Sequence, residues 1–247
     1  MTRSLFWCSA VLLLAACGSA RATHDPFAYA PRPLAVHDDG VVMSSRAVAV
    51  HTLSFAGANG TRVNAFLIVP RTAGRHAAVL FLHGSGGTRE DLLVPAAELA
   101  TRGAVTMTIS QPNDAATFRP LVVNARRALD LLAARADVDR KRLGLVGYSL
   151  GAQTAAILAG DESRLHAVGI VAGRGSQTPR YWIARAHAHL YFQAGTRDER
   201  VPHAQILALI GAAPGHPRVS WYDTGHGMSL KSFDDQVAWQ VHELGLR

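Results

Sequence analysis

Cysteine is almost missing from this sequence. Its two cysteines, Cys8 and Cys17, lie within the first seventeen residues, and Cys8 falls inside a predicted signal peptide that export would remove. We therefore expect no internal disulfide in the mature chain, so its stability must come from a hydrophobic core. The lack of cysteine beyond Cys17 also excludes a cysteine nucleophile and a thiolate metal site there.

Several signatures of cofactor binding are missing as well. No histidine or cysteine cluster has metal-ligand spacing, because His187 and His189 form only a single pair on or beside a predicted strand. No Gly-x-Gly-x-x-Gly follows the first predicted parallel strand, and residues 84–87 lack the lysine and the spacing of a P-loop. The sequence therefore predicts neither a metal nor any other cofactor.

The charge pattern does not indicate a nucleic-acid partner. The formal net charge of +7 comes from 25 basic and 18 acidic residues, and no basic run is longer than residues 140–142. Charge spread in this way favours solubility or weak attraction to anionic surfaces. We expect no nucleic-acid binding, and the sequence does not specify an oligomeric state.

The first residues resemble a bacterial lipoprotein signal. Arg3 supplies a positive charge, and residues 5–14 form an apolar stretch too short to span a bilayer. The Leu-Ala-Ala-Cys ending at Cys17 matches the signal in which the cysteine thiol receives a diacylglyceryl group and becomes the new N-terminus. We expect a signal peptide over residues 1–16 and an exported, membrane-anchored lipoprotein of the bacterial cell envelope that faces the periplasm. The alternative is a plain secretory signal cut a few residues later.

The rest of the chain divides into a tether and one domain. The stretch after the anchor is rich in Ala, Pro, Arg, His and Asp without sustained periodicity, so residues 17–45 are interpreted as the anchor and a flexible tether. Residues 46–247 are interpreted as a single domain, because a chain with 49% hydrophobic residues can bury a full core.

Hydrophobic patterning predicts an α/β fold with a mostly parallel central sheet and helices on both faces. Residues 47–55 and 63–69 alternate apolar and polar side chains, which predicts a leading antiparallel hairpin at an edge of the sheet. Continuous apolar runs separated by helical segments follow, beginning with residues 77–82, as in strands buried on both faces. Thr88 and Asp91 predict a capping-box start for the first helix.

One short motif carries the chemistry. Gly-Tyr-Ser-Leu-Gly at residues 147–151 follows a buried strand and precedes an alanine-rich helix. In this context a Gly-x-Ser-x-Gly turn presents its serine, here Ser149, at a tight strand-to-helix junction beside free helical N–H groups. Serine becomes a nucleophile only when a base takes its proton, so a histidine and an acid are needed nearby.

Over residues 46–247 the chain resembles the α/β-hydrolase superfamily and its dienelactone-hydrolase-like branch. The motifs that carry the resemblance stand in family order: HGSGG at 83–87, DVD at 137–139, GYSLG at 147–151, GTRD at 195–198 with VP at 201–202, and GHG at 225–227. The resemblance implies the α/β-hydrolase fold without a large lid, since neither residues 110–119 nor residues 173–188 are long enough to form one.

The resemblance also implies a catalytic triad. Ser149 would be the nucleophile, His226 the general base, and Asp198 the acid that orients the imidazole. Two other acids stay open: Glu199 follows Asp198 directly, and Asp223 ends the last predicted strand.

An oxyanion hole is expected beside this triad. The backbone N–H of Leu150 is its near donor, and Ser85 matches the family's second donor position, with Gly84 as an alternative. His83 is expected to brace this loop rather than to take part in the chemistry.

These residues predict a serine hydrolase of small or medium carboxylic esters. The family's eponymous members use a cysteine at the position of Ser149, so ring opening of dienelactones is not assumed. Arg174, Trp182 and Arg185 are hypothesised to bind an anionic part of the substrate, against the alternative of exposed arginines flanking a packed tryptophan. The alternative functions are a serine peptidase, an acyltransferase or a non-catalytic envelope binding lipoprotein.

Overall fold

The computed structural model describes residues 25–247, so the predicted signal peptide and Cys17 lie outside the described residues. Within this range the chain forms nine strands and six helices. The strands are β1 (His37–Ser44), β2 (Val48–Ala56), β3 (Arg62–Pro70), β4 (His76–Leu82), β5 (Val105–Ile109), β6 (Val138–Tyr148), β7 (Leu165–Val171), β8 (His189–Gly195) and β9 (Arg218–Tyr222). The helices are α1 (Leu93–Thr101), α2 (Phe118–Ala134), α3 (Leu150–Asp161), α4 (Gln177–Ile183), α5 (His203–Ala212) and α6 (Leu230–Glu243).

The described strands form one twisted sheet in the order β1-β2-β3-β5-β4-β6-β7-β8-β9. β1, β2 and β3 are antiparallel neighbours, and β3 also pairs antiparallel with β5. From β5 to β9 every neighbouring pair is parallel. This is the mostly parallel sheet that the continuous apolar runs predicted, and the leading hairpin is confirmed as β2 and β3. The edge of the sheet, however, is β1, which the sequence patterning did not predict.

Helices cover both faces of the sheet because its central strands are apolar on both sides. All seven residues of β4 are buried. Leu80 packs in one core cluster with residues of α2 and α3, whereas Val79 packs in a second cluster with residues of α1 and α6. Alternate side chains of one strand thus reach opposite cores. Among the helices of residues 25–247, none is long and apolar enough to cross a membrane.

Two local predictions differ from the structure. The first helix begins at Leu93, and its N-cap residue, Leu92, makes no side-chain hydrogen bond. The capping box at Thr88 is therefore wrong, since Asp91 accepts only a long 3.4 Å bond from the Thr88 amide within a turn before the helix. Residues 173–188, for which the sequence patterning predicted no helix, contain α4.

The segment before β1 packs onto the domain. Phe27 is 5% exposed and its ring lies 5.5 Å from that of Trp182. Tyr29 donates a hydrogen bond to the carboxylate of Asp130, and Asp25 pairs with Arg126 at 2.8 Å. The structure thus differs from the expectation of a flexible tether, because an aromatic contact and partly buried polar pairs hold residues 25–29 to the domain, and residues 37–44 join the sheet as β1.

Candidate active site

Ser149 stands at a tight junction between β6 and α3. Its backbone has φ 54° and ψ −108°, a conformation that non-glycine residues rarely adopt and that is held only by the surrounding structure. The flanking glycines are required sterically: a Cβ on Gly147 would lie 2.2 Å from the Gly151 carbonyl oxygen, and a Cβ on Gly151 would lie 2.1 Å from that of Leu82. The predicted strand, turn and helix are all present, and they place Ser149 at the carboxyl end of β6, directly before α3.

A chain of hydrogen bonds joins Ser149 to His226 and Asp198. The Ser149 hydroxyl lies 2.9 Å from His226 Nε2, and His226 Nδ1 lies 2.9 Å from Asp198 Oδ2. Because an ionised carboxylate only accepts, Nδ1 carries the proton and Nε2 is free to accept from the serine. The loops after β8 and β9 thus deliver an acid and a base to the serine at the end of β6.

The environment of Asp198 keeps it ionised. Burial opposes the charge, but the hydrogen bond from His226 and those from the backbone amides of Val201 and Arg200 outweigh it and hold the pKa of Asp198 below its ordinary value. Both amides donate to Oδ1 at 2.9 Å, so Oδ2 is left to the imidazole. The carboxylate is thereby fixed in the orientation that the histidine needs.

The two alternative acids lie elsewhere. Glu199 accepts a 3.3 Å bond from the backbone amide of His226 and not from its ring. Asp223 pairs with Arg197 at 2.8 Å, and its side chain is 85% exposed. Of the three acids considered, Asp198 is the one bonded to the His226 imidazole.

The predicted oxyanion donors border the same serine. Leu150 is the first residue of α3, and N–H groups in the first turn of a helix have no carbonyl partner inside that helix. On the other side, the loop after β4 runs so close that a Cβ on Gly84 would lie 3.1 Å from the Ser149 Cβ. Ser85, the next residue, lines the cleft beside Ser149. Leu150 and Ser85 thus lie beside Ser149 on two different elements, α3 and the loop after β4.

His83 holds this loop in place through hydrogen bonds to the backbone. It is 2% exposed, its Nδ1–H donates to the Gly84 carbonyl at 2.6 Å, and its Nε2 accepts from the Gln111 amide at 2.8 Å. Both ring nitrogens are thus occupied by backbone groups. These contacts agree with the expectation that His83 braces the loop.

The matched family identifies the chain at the level of its fold and reaction class. The model of the dienelactone hydrolase family matches residues 100–234, more than half of the chain. This chain belongs to the dienelactone hydrolase family. It is therefore a hydrolase, and the matched segment contains Ser149, Asp198 and His226.

Solved structures similar to this family member share its architecture. An acetyl xylan esterase from Paenibacillus sp. R4 is 17% identical, with a TM-score of 0.75 over 86% of this chain and 90% of that one. Acetyl xylan esterase 1 from Thermoanaerobacterium sp. JW/SL YS485 is 15% identical, with a TM-score of 0.75 over 85% and 88%. A cold-adapted esterase from an Arctic intertidal metagenomic library is 16% identical, with a TM-score of 0.72 over 84% and 97%. At these identities the likeness shows the α/β-hydrolase fold alone. No curated protein matches the chain.

The cleft of this family member has a volume of about 410 Å³ and holds side chains that sequence reasoning missed. Tyr148, Gln153 and Arg200 line it together with the serine and histidine. The Tyr148 hydroxyl donates to the His226 carbonyl at 3.0 Å and so supports the histidine loop. Gln153 could have been predicted from the sequence as a cleft residue, because it lies one helical turn after Ser149 on the same face of α3.

Of the three predicted substrate-binding residues, only Arg174 lines the cleft. Trp182 packs against Phe27, and the Arg185 guanidinium stacks 3.8 Å above the Tyr181 ring. The structure does not bring Trp182 and Arg185 into this cleft: Trp182 belongs to α4, which packs against α3, and Arg185 follows the end of that helix. The second basic side chain in the cleft is instead Arg200.

A group of potential metal ligands lies outside the cleft. His166, His189 and Glu243 each offer one ligand atom, and these atoms lie within 4.8 Å of one another. Residue spacing does not reveal this group, because its members come from β7, β8 and the end of α6. No cofactor is needed to explain the geometry around Ser149.

Proposed function

We propose that this protein hydrolyses carboxylic esters through a Ser149–His226–Asp198 triad. The observation that carries the proposal is the continuous hydrogen-bond chain from the serine hydroxyl to the buried carboxylate, at 2.9 Å for each link. Such a chain activates serine, because the base is already in contact with the proton that it must remove.

The reaction would follow from this geometry in two halves. His226 takes the Ser149 proton as the hydroxyl oxygen attacks the ester carbonyl, and the N–H groups of Leu150 and Ser85 stabilise the resulting oxyanion. The imidazolium then returns its proton to the leaving alcohol, which yields an acyl-enzyme. Water deprotonated by His226 attacks that acyl group, and the acid is released as Ser149 regains its proton.

Covalent labelling with a fluorophosphonate, followed by intact-mass analysis, tests the triad. One adduct per chain is expected, and it should be absent in Ser149→Ala and His226→Ala. A panel of esters, anilides and acyl acceptors then separates an esterase from a peptidase or an acyltransferase. A folded protein that takes no label would instead support a non-catalytic envelope binding protein.

We further propose that the substrate carries a negative charge near its ester bond. Arg174 and Arg200 both line the cleft, and Arg174 Nη2 donates to the Arg200 carbonyl at 2.8 Å, which leaves the remaining N–H groups for a ligand. Because both side chains are exposed, the attraction is screened and its expected contribution is modest.

Kinetics on paired neutral and anionic esters of equal acyl length test this preference. Arg174→Ala and Arg200→Ala should raise KM for the anionic ester by about three- to tenfold and leave the neutral ester unchanged. Arg185→Ala is the matched control, since this arginine stacks on Tyr181 away from the cleft. Equal effects on both esters would refute the preference.

We also propose that the protein is exported and anchored through lipidated Cys17. The Leu-Ala-Ala-Cys motif supports this, and several acyl chains would hold the protein firmly at a membrane surface. Metabolic labelling with a radioactive fatty acid should mark the wild type but not Cys17→Ala. Labelling of neither would favour a plain secretory signal, and labelling of both would show that the lipid is not on Cys17.

A further inference from the structure

Three side chains that could bind a metal ion lie close together at one edge of the sheet. His166 lies at the start of β7, His189 at the start of β8 and Glu243 at the end of α6. The two imidazole rings are 5.0 Å apart between centroids. His189 Nδ1 also forms a hydrogen bond with the Glu243 carboxylate. This arrangement brings two imidazoles and a carboxylate from three separate elements to one point.

The cluster is remote from the cleft. His189 begins β8, whereas Asp198 lies three residues beyond the end of that strand. A strand rises about 3.3 Å per residue, so a seven-residue strand separates the two sites by about 20 Å. Since β7 and β8 run parallel to β6, the cluster lies at the opposite edge from Ser149. Esterase chemistry in the cleft therefore does not account for it.

We propose that His166, His189 and Glu243 form a binding site for a divalent transition-metal ion of the Zn²⁺ type. Two imidazole nitrogens and one carboxylate oxygen are a ligand set that Zn²⁺ accepts, with water in the fourth position. The ion would take the place of the proton that His189 shares with Glu243. Mg²⁺ and Ca²⁺ do not fit, because they prefer oxygen ligands.

The geometry requires only a small adjustment. The three ligand atoms lie within 4.8 Å of one another, whereas bonds of 2.0–2.2 Å in a tetrahedral sphere separate ligand atoms by about 3.4 Å. Both imidazoles are exposed, and the His189 side chain is 61% exposed. Exposed rings can rotate by the ångström or so that is needed without disturbing the core.

The surroundings of the cluster are rich in imidazole groups. The Glu243 side chain is 14% exposed and is hydrogen-bonded to His189. His189 and Glu243 border a cleft that His187 and His216 also line, together with Arg218.

A bound ion would link β7, β8 and α6. The ligands are far apart in sequence, since His189 and Glu243 are 54 positions apart. An ion that binds only the folded chain stabilises it by mass action. At a free concentration of about a hundred times Kd, the midpoint of thermal unfolding should rise by about 5 to 10 °C for a chain of this size.

Zinc binding to the tag-free full chain tests the proposal. Isothermal titration with Zn²⁺, alongside thermal unfolding, is compared for the wild type, His166→Ala, His189→Ala and Glu243→Gln. The matched control is His37→Ala, which removes an exposed histidine paired with Asp39 at 3.0 Å. Mg²⁺ serves as the control ion.

A site of this kind predicts one Zn²⁺ per chain with a Kd in the micromolar range or below. Each variant of the cluster should weaken that binding at least tenfold and abolish the rise in the unfolding midpoint, while His37→Ala behaves as wild type. Ester hydrolysis without added metal should be unchanged in all of them. Absence of binding in the wild type, or equal binding by a His166→Ala, His189→Ala double variant, would overturn the proposal.

Discussion

Replacing Asp198 by asparagine tests the geometry of the active site most directly. Oδ1 of Asp198 accepts two backbone amides at 2.9 Å, so the asparagine oxygen must occupy that position and its NH₂ group must face His226 Nδ1. Nδ1 then has to accept, and the imidazole proton moves to Nε2. In that tautomer His226 cannot take the Ser149 proton, although the side chains keep their positions. We expect kcat to fall by about 10⁴-fold, or roughly 5 kcal/mol in barrier height.

The assay is steady-state hydrolysis of an activated acetate ester, together with the rate of fluorophosphonate labelling. Glu199→Gln is the matched control, because Glu199 contacts the His226 amide at 3.3 Å and not its ring. It should stay within about tenfold of the wild type, since only one weak hydrogen bond changes. Activity of Asp198→Asn within tenfold of wild type, or a larger loss in Glu199→Gln, would refute the assignment of Asp198 as the acid.

Three further predictions concern stability and are measured by thermal unfolding. Gly151→Ala should give insoluble or unfolded protein, because its Cβ would lie 2.1 Å from a backbone carbonyl oxygen, whereas Gly211→Ala, with open space around it, should stabilise by about 0.5 to 1 kcal/mol. Burial raises the pKa of Asp161 to about 6, and Arg126 at 3.6 Å only partly offsets this. The folded chain therefore holds a proton that the unfolded chain releases between about pH 4 and 6, and stability falls as pH rises through that window. Asp161→Asn should thus raise the free energy of unfolding by about 1 to 3 kcal/mol at pH 7.5 and leave it unchanged near pH 4. An unchanged free energy of unfolding at pH 7.5 would contradict this prediction. Phe27→Ala should lower the free energy of unfolding by about 3 kcal/mol, because it removes a buried ring that packs on Trp182. An unchanged unfolding midpoint would show that residues 25–36 do not belong to the folded domain.

The sequence predicted those parts of the fold that short stretches of chain determine. Six of the seven residues of β4, residues 77–82, are apolar and face both sides of the sheet, so the run itself indicates a strand between two layers of helices. The glycines around Ser149 are needed because backbone passes within 2.2 Å of where a Cβ would stand. The motif that predicted the turn is therefore also its physical cause.

Features that depend on contacts between distant residues were not predictable in this way. Residues 25–36 have no periodicity of their own, and they are ordered because Phe27 reaches Trp182 and Asp25 reaches Arg126. Trp182 packs against the core and is not among the residues that line the cleft. The sequence suggested a tether and a substrate-binding tryptophan, because neither the contact of Phe27 with Trp182 nor that of Asp25 with Arg126 can be recognised in a short stretch of chain.

The His166 cluster shows why motif spacing is a poor guide to metal sites on a parallel sheet. His189 pairs across the strands with Ala167, the residue next to His166. Regular alternation would place the side chains of His166 and Ala167 on opposite faces of the sheet, but the pairing of β7 with β6 shifts register between Leu165 and Ala167, at the start of β7. The closeness of the rings thus depends on the local alignment of the starts of two parallel strands, which residue spacing does not reveal. Glu243 joins them only because α6 ends above the same edge. A ligand set of this kind is specified by the hydrophobic core, so its members need no regular interval along the chain.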